Sequence, residues 1–469
     1  MTPEPFDRRV DAKLIASIVA AGSLSFCAVV FETAMNVALP SLMAEFGVGT
    51  STIQWITSGY LLMLSVVIPA FAFLKVRFPL RRLFVTAVAL FIAGTVACGT
   101  APVFWVLLAG RLVQGIGSGI AIPLMFSIVV DQVPYEKTGL MMGFASLITS
   151  LAPAIGPSFG GLVIGLAGWR AVFLSMLPLL VASFVAGTLC VRQATALERR
   201  RFDVVGYVLV AVGFFSLVYA INCASETGWA SVTVLGLMVL AVVSLAVFAW
   251  RSLHTDDPLI DVTVFRVPAF TTSVLAFACI AFSILGFAYL VPNYAQLALG
   301  EGAFFSGTLL LPGCLATVLV APLGGRLLDG SGSEIPMTMG VVLMVASCAL
   351  FAVLGTVGLT AWAMMGVYVL FGVGQGFAFS TIMTNGLRQL PESQRSDGNA
   401  VFNTFQQLGG SIGVSVLTTV VSAAQIGAHD MAAATVAGGQ GAFFVLTGVS
   451  AAIALLVLAT FAFVQKKSH

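Results

Sequence analysis

Apolar residues run along this chain in blocks of about 20 or more, the length of helix that crosses a hydrocarbon core, and short polar segments between the blocks collect nearly all the charge. The blocks predict helices at 14–39, 52–74, 83–101, 103–130, 138–164, 170–190, 204–222, 230–250, 269–298, 304–325, 336–356, 359–385, 400–424 and 441–464, fourteen spans in all. The pattern therefore specifies an all-α integral membrane protein.

Composition agrees. The chain is 59% hydrophobic and 9% charged, with a mean hydropathy of +1.06, whereas a soluble domain carries roughly 25% charged residues. The net charge of +2 does not predict nucleic-acid binding, because the basic residues are scattered over short loops. Cys27, Cys98, Cys190, Cys223, Cys279, Cys314 and Cys348 all fall in apolar runs without metal-ligand spacing, so they read as small packing residues. The first apolar run is long and lacks a small-residue cleavage site, which predicts a retained first span.

Charge also orients the spans. With an even count both termini lie on one side. If that side is the cytoplasm, inside segments hold 19 of the 21 basic residues, as the positive-inside rule requires. Arg170 falls outside, and Arg111 falls within a span. Losing one helix from the count would scramble this asymmetry.

The chain also looks duplicated. Ala72-Phe-Leu-Lys-Val-Arg77 follows the second span as Gly325-Arg-Leu-Leu-Asp-Gly330 follows the tenth, an offset of 253 residues. Gly115-Ile-Gly-Ser-Gly119 in the fourth span echoes Gly372-Val-Gly-Gln-Gly376 in the twelfth, an offset of 257. This predicts a cytoplasmic N-terminus (1–13), a six-helix bundle (14–190), basic linkers with an inserted helix pair (191–268, helices near 204–222 and 230–250), a second six-helix bundle (269–464) and a cytoplasmic tail (465–469). Parallel halves with a site between them at mid-membrane are a recurring transporter plan.

Burying an ionisable side chain in a span costs at least about 2.5–3.5 kcal/mol, which makes it a functional candidate. Two such residues stand out. Glu32 is the only charge between Lys13 and Glu45. It lies roughly 28 Å along the helix from Lys13, with Met35 and Asn36 on the same face. A carboxyl group in a low-dielectric site can exchange protons near neutral pH and can neutralise a cationic substrate. Arg111 lies roughly 30 Å from Asp131 at the cytoplasmic end, at a depth matching Glu32. A buried Arg keeps its charge and tunes a carboxylate beside it, or ties itself to carbonyls of a neighbouring helix.

Uncharged polar residues form a softer set: Asn36, Gln54, Gln114, Asn222, Asn293, Gln296, Gln375, Asn385, Asn403, Gln406 and Gln407. Each can bind substrate or hold two helices together, and the second role is the commoner one. Candidate substrate contacts are Glu32, Asn36, Gln54, Gln114, Asn293, Gln296, Asn385 and Gln407. In the fifth span Gly156, Gly160, Gly161 and Gly165 permit close packing, and Pro153 and Pro157 favour a bend. The chain shows no phosphate-binding loop, zinc-protease motif or nucleophile elbow. Its three His residues lie in loops or the tail. An enzyme, a cofactor, a bound metal, a nucleotide and a nucleic acid are therefore not expected. The expected partners are a small molecule, protons and the bilayer, with the chain a monomer.

These residues resemble the major facilitator superfamily, and within it the fourteen-span drug:proton antiporters. The stretches that carry the resemblance are Glu32-Thr-Ala-Met-Asn-Val-Ala-Leu-Pro40, Gln54-Trp55 with Tyr60-Leu61, Leu108-Ala-Gly-Arg111-Leu-Val-Gln114-Gly115-Ile-Gly117, Ala152-Pro-Ala-Ile-Gly156-Pro157-Ser-Phe-Gly160-Gly161 and Gln406-Gln-Leu-Gly-Gly-Ser-Ile-Gly413. The resemblance implies the major facilitator fold, two six-helix bundles plus two central helices. It assigns proton coupling to Glu32 and Arg111, and conformational roles to Arg77, Gly115, Gly156, Pro157, Gly160 and Gly161.

Two features depart from the family pattern. Many members carry the first-helix acid one position earlier, where this chain has Phe31, about 100° around the helix from Glu32. The loop after the second span has Val76 in place of the usual Asp, which leaves Asp329 as a candidate latch in the second half. The expected activity is proton-driven export of small hydrophobic compounds, cationic drugs and dyes among them, from a bacterial plasma membrane. The alternatives are export of one metabolite (bile acid, fatty acid or peptide) and a receptor or sensor that does not transport.

Overall fold

The computed structural model describes residues 11–134, 152–153, 155–193, 203–255, 258–391 and 394–468, with the isolated positions 141 and 197. Among the described residues thirteen helices are long and apolar enough to cross a membrane. In chain order these are α1 (Ala12–Phe46), α2 (Trp55–Arg77, after a turn at Thr50–Ile53), α3 (Leu80–Gly99) and α4 (Phe104–Gln132). A shorter described helix, α5 (Ile155–Ala167), precedes α6 (Trp169–Cys190, broken at Met176). The rest are α7 (Val204–Thr227), α8 (Val232–Ser252), α9 (Pro268–Leu297), α10 (Leu311–Ser331, led by Ala303–Thr308), α11 (Glu334–Val357), α12 (Ala361–Arg388), α13 (Arg395–Gln425) and α14 (Met431–Ser468). About half of the predicted span 138–164 lies outside the described residues, as do Arg8, Arg9, Lys137 and Arg199–Arg201.

Two helix ends differ from the sequence reading for identifiable reasons. α1 runs through Pro40 to Phe46 instead of stopping at 39. Pro40 has no N–H for the Asn36 carbonyl, but another helix supplies donors there, as described below. α14 begins at 431, not 441, because Asp430 Oδ1 accepts from the amides of Ala432 (2.9 Å) and Ala433 (3.1 Å) and so caps it. Large apolar side chains such as Trp105, Leu189, Val242, Leu319 and Trp362 point outward, a belt that suits lipid contact.

Glycine packing repeats through the chain at the sequence offsets. Gly115 of α4 abuts Tyr60 on α2, and Gly372 of α12 abuts Gly313 on α10, 253 residues further on. Gly119 meets Val67, and Gly376 meets Val320. Gly117 meets Ala87 and Phe91 on α3, and Gly374 meets Gly340 and Met344 on α11. Each pair of neighbours is again 253 apart. A Cβ at these glycines would collide with the facing helix, which is why only glycine serves there.

The inserted pair packs on itself, and α7 also lies against both α2 and α13. Asn222 Nδ2 donates to Ser415 Oγ (3.2 Å). Thr419 Oγ1 donates to the Ile221 carbonyl (3.2 Å). Trp55 rests on Tyr219, with ring centroids 5.7 Å apart.

Candidate functional site

Arg111 sits on α4 with no solvent exposure. Its guanidinium is held at several points. Nε donates to the Ile56 carbonyl of α2 (3.1 Å), and Nη1 donates to Gln114 Oε1 one turn along α4 (2.9 Å). The Tyr60 ring lies under it, 4.0 Å from guanidinium carbon to centroid. Gln114 passes the network on, since its Nε2 donates to Thr95 Oγ1 on α3 (2.8 Å). Nη2 is buried and has no hydrogen-bond partner among the described residues. The arrangement holds a charge in place and leaves one donor free.

Glu32 is 5% exposed on α1. Among the described residues its carboxylate makes no hydrogen bond and does not reach ion-pair distance of Arg111. It is nevertheless within electrostatic reach of Arg111 and Tyr60. The two charges on α1 and α4 therefore interact at a distance and not through a direct contact. Phe31 turns the other way, stacking on Phe91 of α3 (centroids 5.7 Å) and tilting against Phe173 of α6 (5.3 Å). Its position faces the apolar packing between α1, α3 and α6.

One turn beyond Glu32, Asn36 links three helices. Its Oδ1 accepts from Thr57 Oγ1 of α2 (3.1 Å). Its main-chain carbonyl, freed by Pro40, accepts from Asn293 Nδ2 of α9 (3.1 Å), and the Val37 carbonyl accepts from Gln296 Nε2 (3.1 Å). Asn36 Nδ2 and Gln54 Oε1 are buried without partners in the same region. Asn293 and Gln296 thus spend their amides on α1, and Gln114 spends its own on Arg111 and Thr95. Asn385 on α12 and Gln407 on α13 are buried elsewhere, and Asn385 Nδ2 lacks a partner.

More bonds join early spans to late ones near the same end. Thr50 donates to Gln425 Oε1 (2.7 Å), the Ser58 and Ser415 hydroxyls are 3.0 Å apart, and Ser411 donates to the Ser58 carbonyl (3.2 Å). This end is opposite the basic loops. Here too Arg170 finds partners: Glu45 Oε1 at 2.7 Å, the Trp169 ring at 4.2 Å and the Ala101 carbonyl at 2.8 Å.

The fifth-span glycines meet both sets of spans. Gly156 is pressed against Thr33, and a Cβ on Gly160 would lie 2.8 Å from that of Ala34, both on α1 next to Glu32. Gly161 and the Pro157 carbonyl abut Ala303 and Gly307 at the start of α10. At the basic end Arg77 is exposed, and the side chain of Asp329 lies outside the described residues. Lys75 pairs with Asp131 at the end of α4 (2.7 Å), a contact the sequence reading missed. Ser58 and Ser415 were missed too, and Tyr60 stood only within a family-like stretch, because an uncharged residue in an apolar span carries no sign of its partner.

The helices and the buried charges define a polytopic membrane transporter. The profile of the Major Facilitator Superfamily matches residues 21–414, and the chain belongs to that family. Relatives include the lincomycin resistance protein LmrB of Listeria monocytogenes, 35% identical over 92% of each chain. The multidrug resistance protein Stp of Mycobacterium tuberculosis is 28% identical over 87% of this chain and 76% of its own. Among solved structures, a bacterial homologue of the human lysosomal transporter Spinster superposes with a TM-score of 0.70 at 15% identity, covering 97% of this chain and 99% of that one. A POT family transporter bound to a thioalcohol-conjugated peptide gives 0.71 at 15%, covering 97% and 96%. These two likenesses speak for the fold alone.

Proposed function

We propose that this transporter is a proton-coupled antiporter exporting small hydrophobic compounds, cationic drugs and dyes among them. The observation that carries the reading is a buried Glu32 carboxyl with no described partner, close to an Arg111 that is tethered and keeps a free donor. A carboxyl so placed alternates between holding a proton and balancing a cation. The resistance named in the relatives' titles supports a drug substrate, and lincomycin is the first compound to try.

The cycle is alternating access between two six-helix bundles, 14–190 and 269–464, with both termini in the cytoplasm. The bonds from Asn293 and Gln296 to α1 then belong to the outer gate, and the described conformation is closed there. When the gate opens, a proton from outside reaches Glu32 and displaces the substrate. Loss of the proton to the inside resets the site. Arg77, Asp329 and the Lys75–Asp131 pair belong to the cytoplasmic side.

A susceptibility panel tests this in an efflux-deficient bacterium expressing wild type or Glu32→Gln, with lincomycin and ethidium as probes. The variant should accumulate to wild-type amounts and confer no protection. Full protection by the variant overturns the role of Glu32.

A further inference from the structure

We infer that Tyr60 is a positioning residue that fixes the Arg111 guanidinium beside Glu32; the inference rests on the coupling role proposed above for that pair. Tyr60 is fully buried on α2. Its ring face carries the guanidinium at 4.0 Å, a contact that is strongest where water is excluded. Its phenol oxygen lies 2.6 Å from Ser118 Oγ on α4 and donates toward the Ala28 carbonyl on α1 at 3.1 Å. Ser118 Oγ, 2.9 Å from the Gln114 carbonyl, shares its single proton between that carbonyl and the phenol oxygen. Ala28 lies one helical turn before Glu32, so its carbonyl is the acceptor for the Glu32 main-chain N–H.

A single side chain therefore spans the three helices that form the site. It touches the turn of α1 bearing the carboxylate, starts from α2, and supports the cation on α4. The other tethers of Arg111, Ile56 O and Gln114 Oε1, hold two of its nitrogens in the guanidinium plane. Neither stops the plane from tilting. The ring supplies that restraint from one face and so aims the free Nη2 donor. The ring and the hydroxyl have separable tasks: the π face holds Arg111, and the hydroxyl ties the ring to α1 and α4.

The test uses purified full-length protein in liposomes, with ethidium as the probe and an imposed pH gradient. Tyr60→Leu, Tyr60→Phe, Arg111→Lys and the double variant Tyr60→Leu/Arg111→Lys are compared at equal amounts of monodisperse protein. Tyr60→Leu should lower the maximal rate about thirtyfold, the scale of a desolvated cation–π contact, with the KM for ethidium nearly unchanged. Tyr60→Phe keeps the π face and should keep most of the rate. The double variant should be no slower than Arg111→Lys, because the two residues act as a unit. If Tyr60→Leu does not fold, Tyr60→Met removes the π face at similar volume and carries the same expectation.

A wild-type rate in Tyr60→Leu overturns the inference. So does a Tyr60→Phe as slow as Tyr60→Leu, or losses that multiply in the double variant. A wild-type rate in Arg111→Lys sinks the coupling reading itself. An impaired Arg111→Lys beside a normal Tyr60→Leu sinks only the positioning role.

Discussion

Residues 111 and 368 occupy matching places in the repeat, 257 apart, and differ completely in chemistry. Arg111 is a buried cation tied to Ile56, Tyr60 and Gln114. Tyr368 is equally buried but lies among aromatic rings, stacked on Phe371 and edge-on to Phe287, each with centroids 5.7 Å away. Gln114 is matched by Phe371 itself. Around these positions the glycines make the same helix contacts in both places. The scaffold is repeated while the charge is present in one copy only. Tight glycine packing is a requirement of the fold, and under the coupling role proposed for Arg111 the buried cation is needed once, so only the first is kept twice.

This contrast is most exposed to substitution at its charged member. Arg111→Leu should abolish gradient-driven ethidium flux in liposomes, whereas Tyr368→Phe, which loses only a 3.9 Å contact with Cys314, should transport at close to the wild-type rate. If the two variants are impaired alike, the asymmetry has no functional meaning. The shared scaffold predicts the opposite symmetry for the glycines. Gly115→Val and Gly372→Val should each destabilise by about 1–3 kcal/mol or more through overpacking, read as similar falls in Tm in detergent. A loss confined to one of the two would break the structural equivalence.

Smaller effects are expected at the end opposite the basic loops. Asn293→Leu or Gln296→Leu removes a neutral hydrogen bond to α1, worth about 0.5–1.5 kcal/mol. That is enough to shift a two-state population severalfold. A spin-label pair across α1 and α9 should report more of the separated distance in either variant. The smallest effect belongs to Asp11, the cap of α1. The amide of Leu14 first, and Arg192 second, hold its carboxyl below the usual carboxylate value. The folded form thus favours the ionised group, so its contribution is present above the unfolded-state value, about 3.9, and fades as pH falls through that range. Asp11→Asn should lower Tm slightly at neutral pH and not at all in strong acid.

Much of this was legible in the sequence, for a physical reason. A charge inside an apolar run is expensive, so Glu32 and Arg111 announced themselves, and block length alone delivered the spans. The register of the repeat was visible because glycine is the residue that close helix contact leaves no alternative to. What could not be read was pairing. Asn293 and Gln296 looked like substrate contacts, but they meet carbonyls of α1, one of which Pro40 frees, and that depends on how α1 and α9 pack. Tyr60 stands in a family-like stretch, but nothing in its neighbours along the chain says that a guanidinium will lie on its ring. Helix ends were misread where a cap such as Asp430, and not hydropathy, decides the start.

The most direct test of the central claim is simultaneous measurement of proton and ethidium movement in liposomes holding wild type or Glu32→Gln. The wild type should accumulate ethidium against its gradient only while the pH gradient stands, with protons moving in the opposite direction. Glu32→Gln should move neither under the same gradient. Proton-coupled accumulation at the wild-type rate in Glu32→Gln would contradict the account.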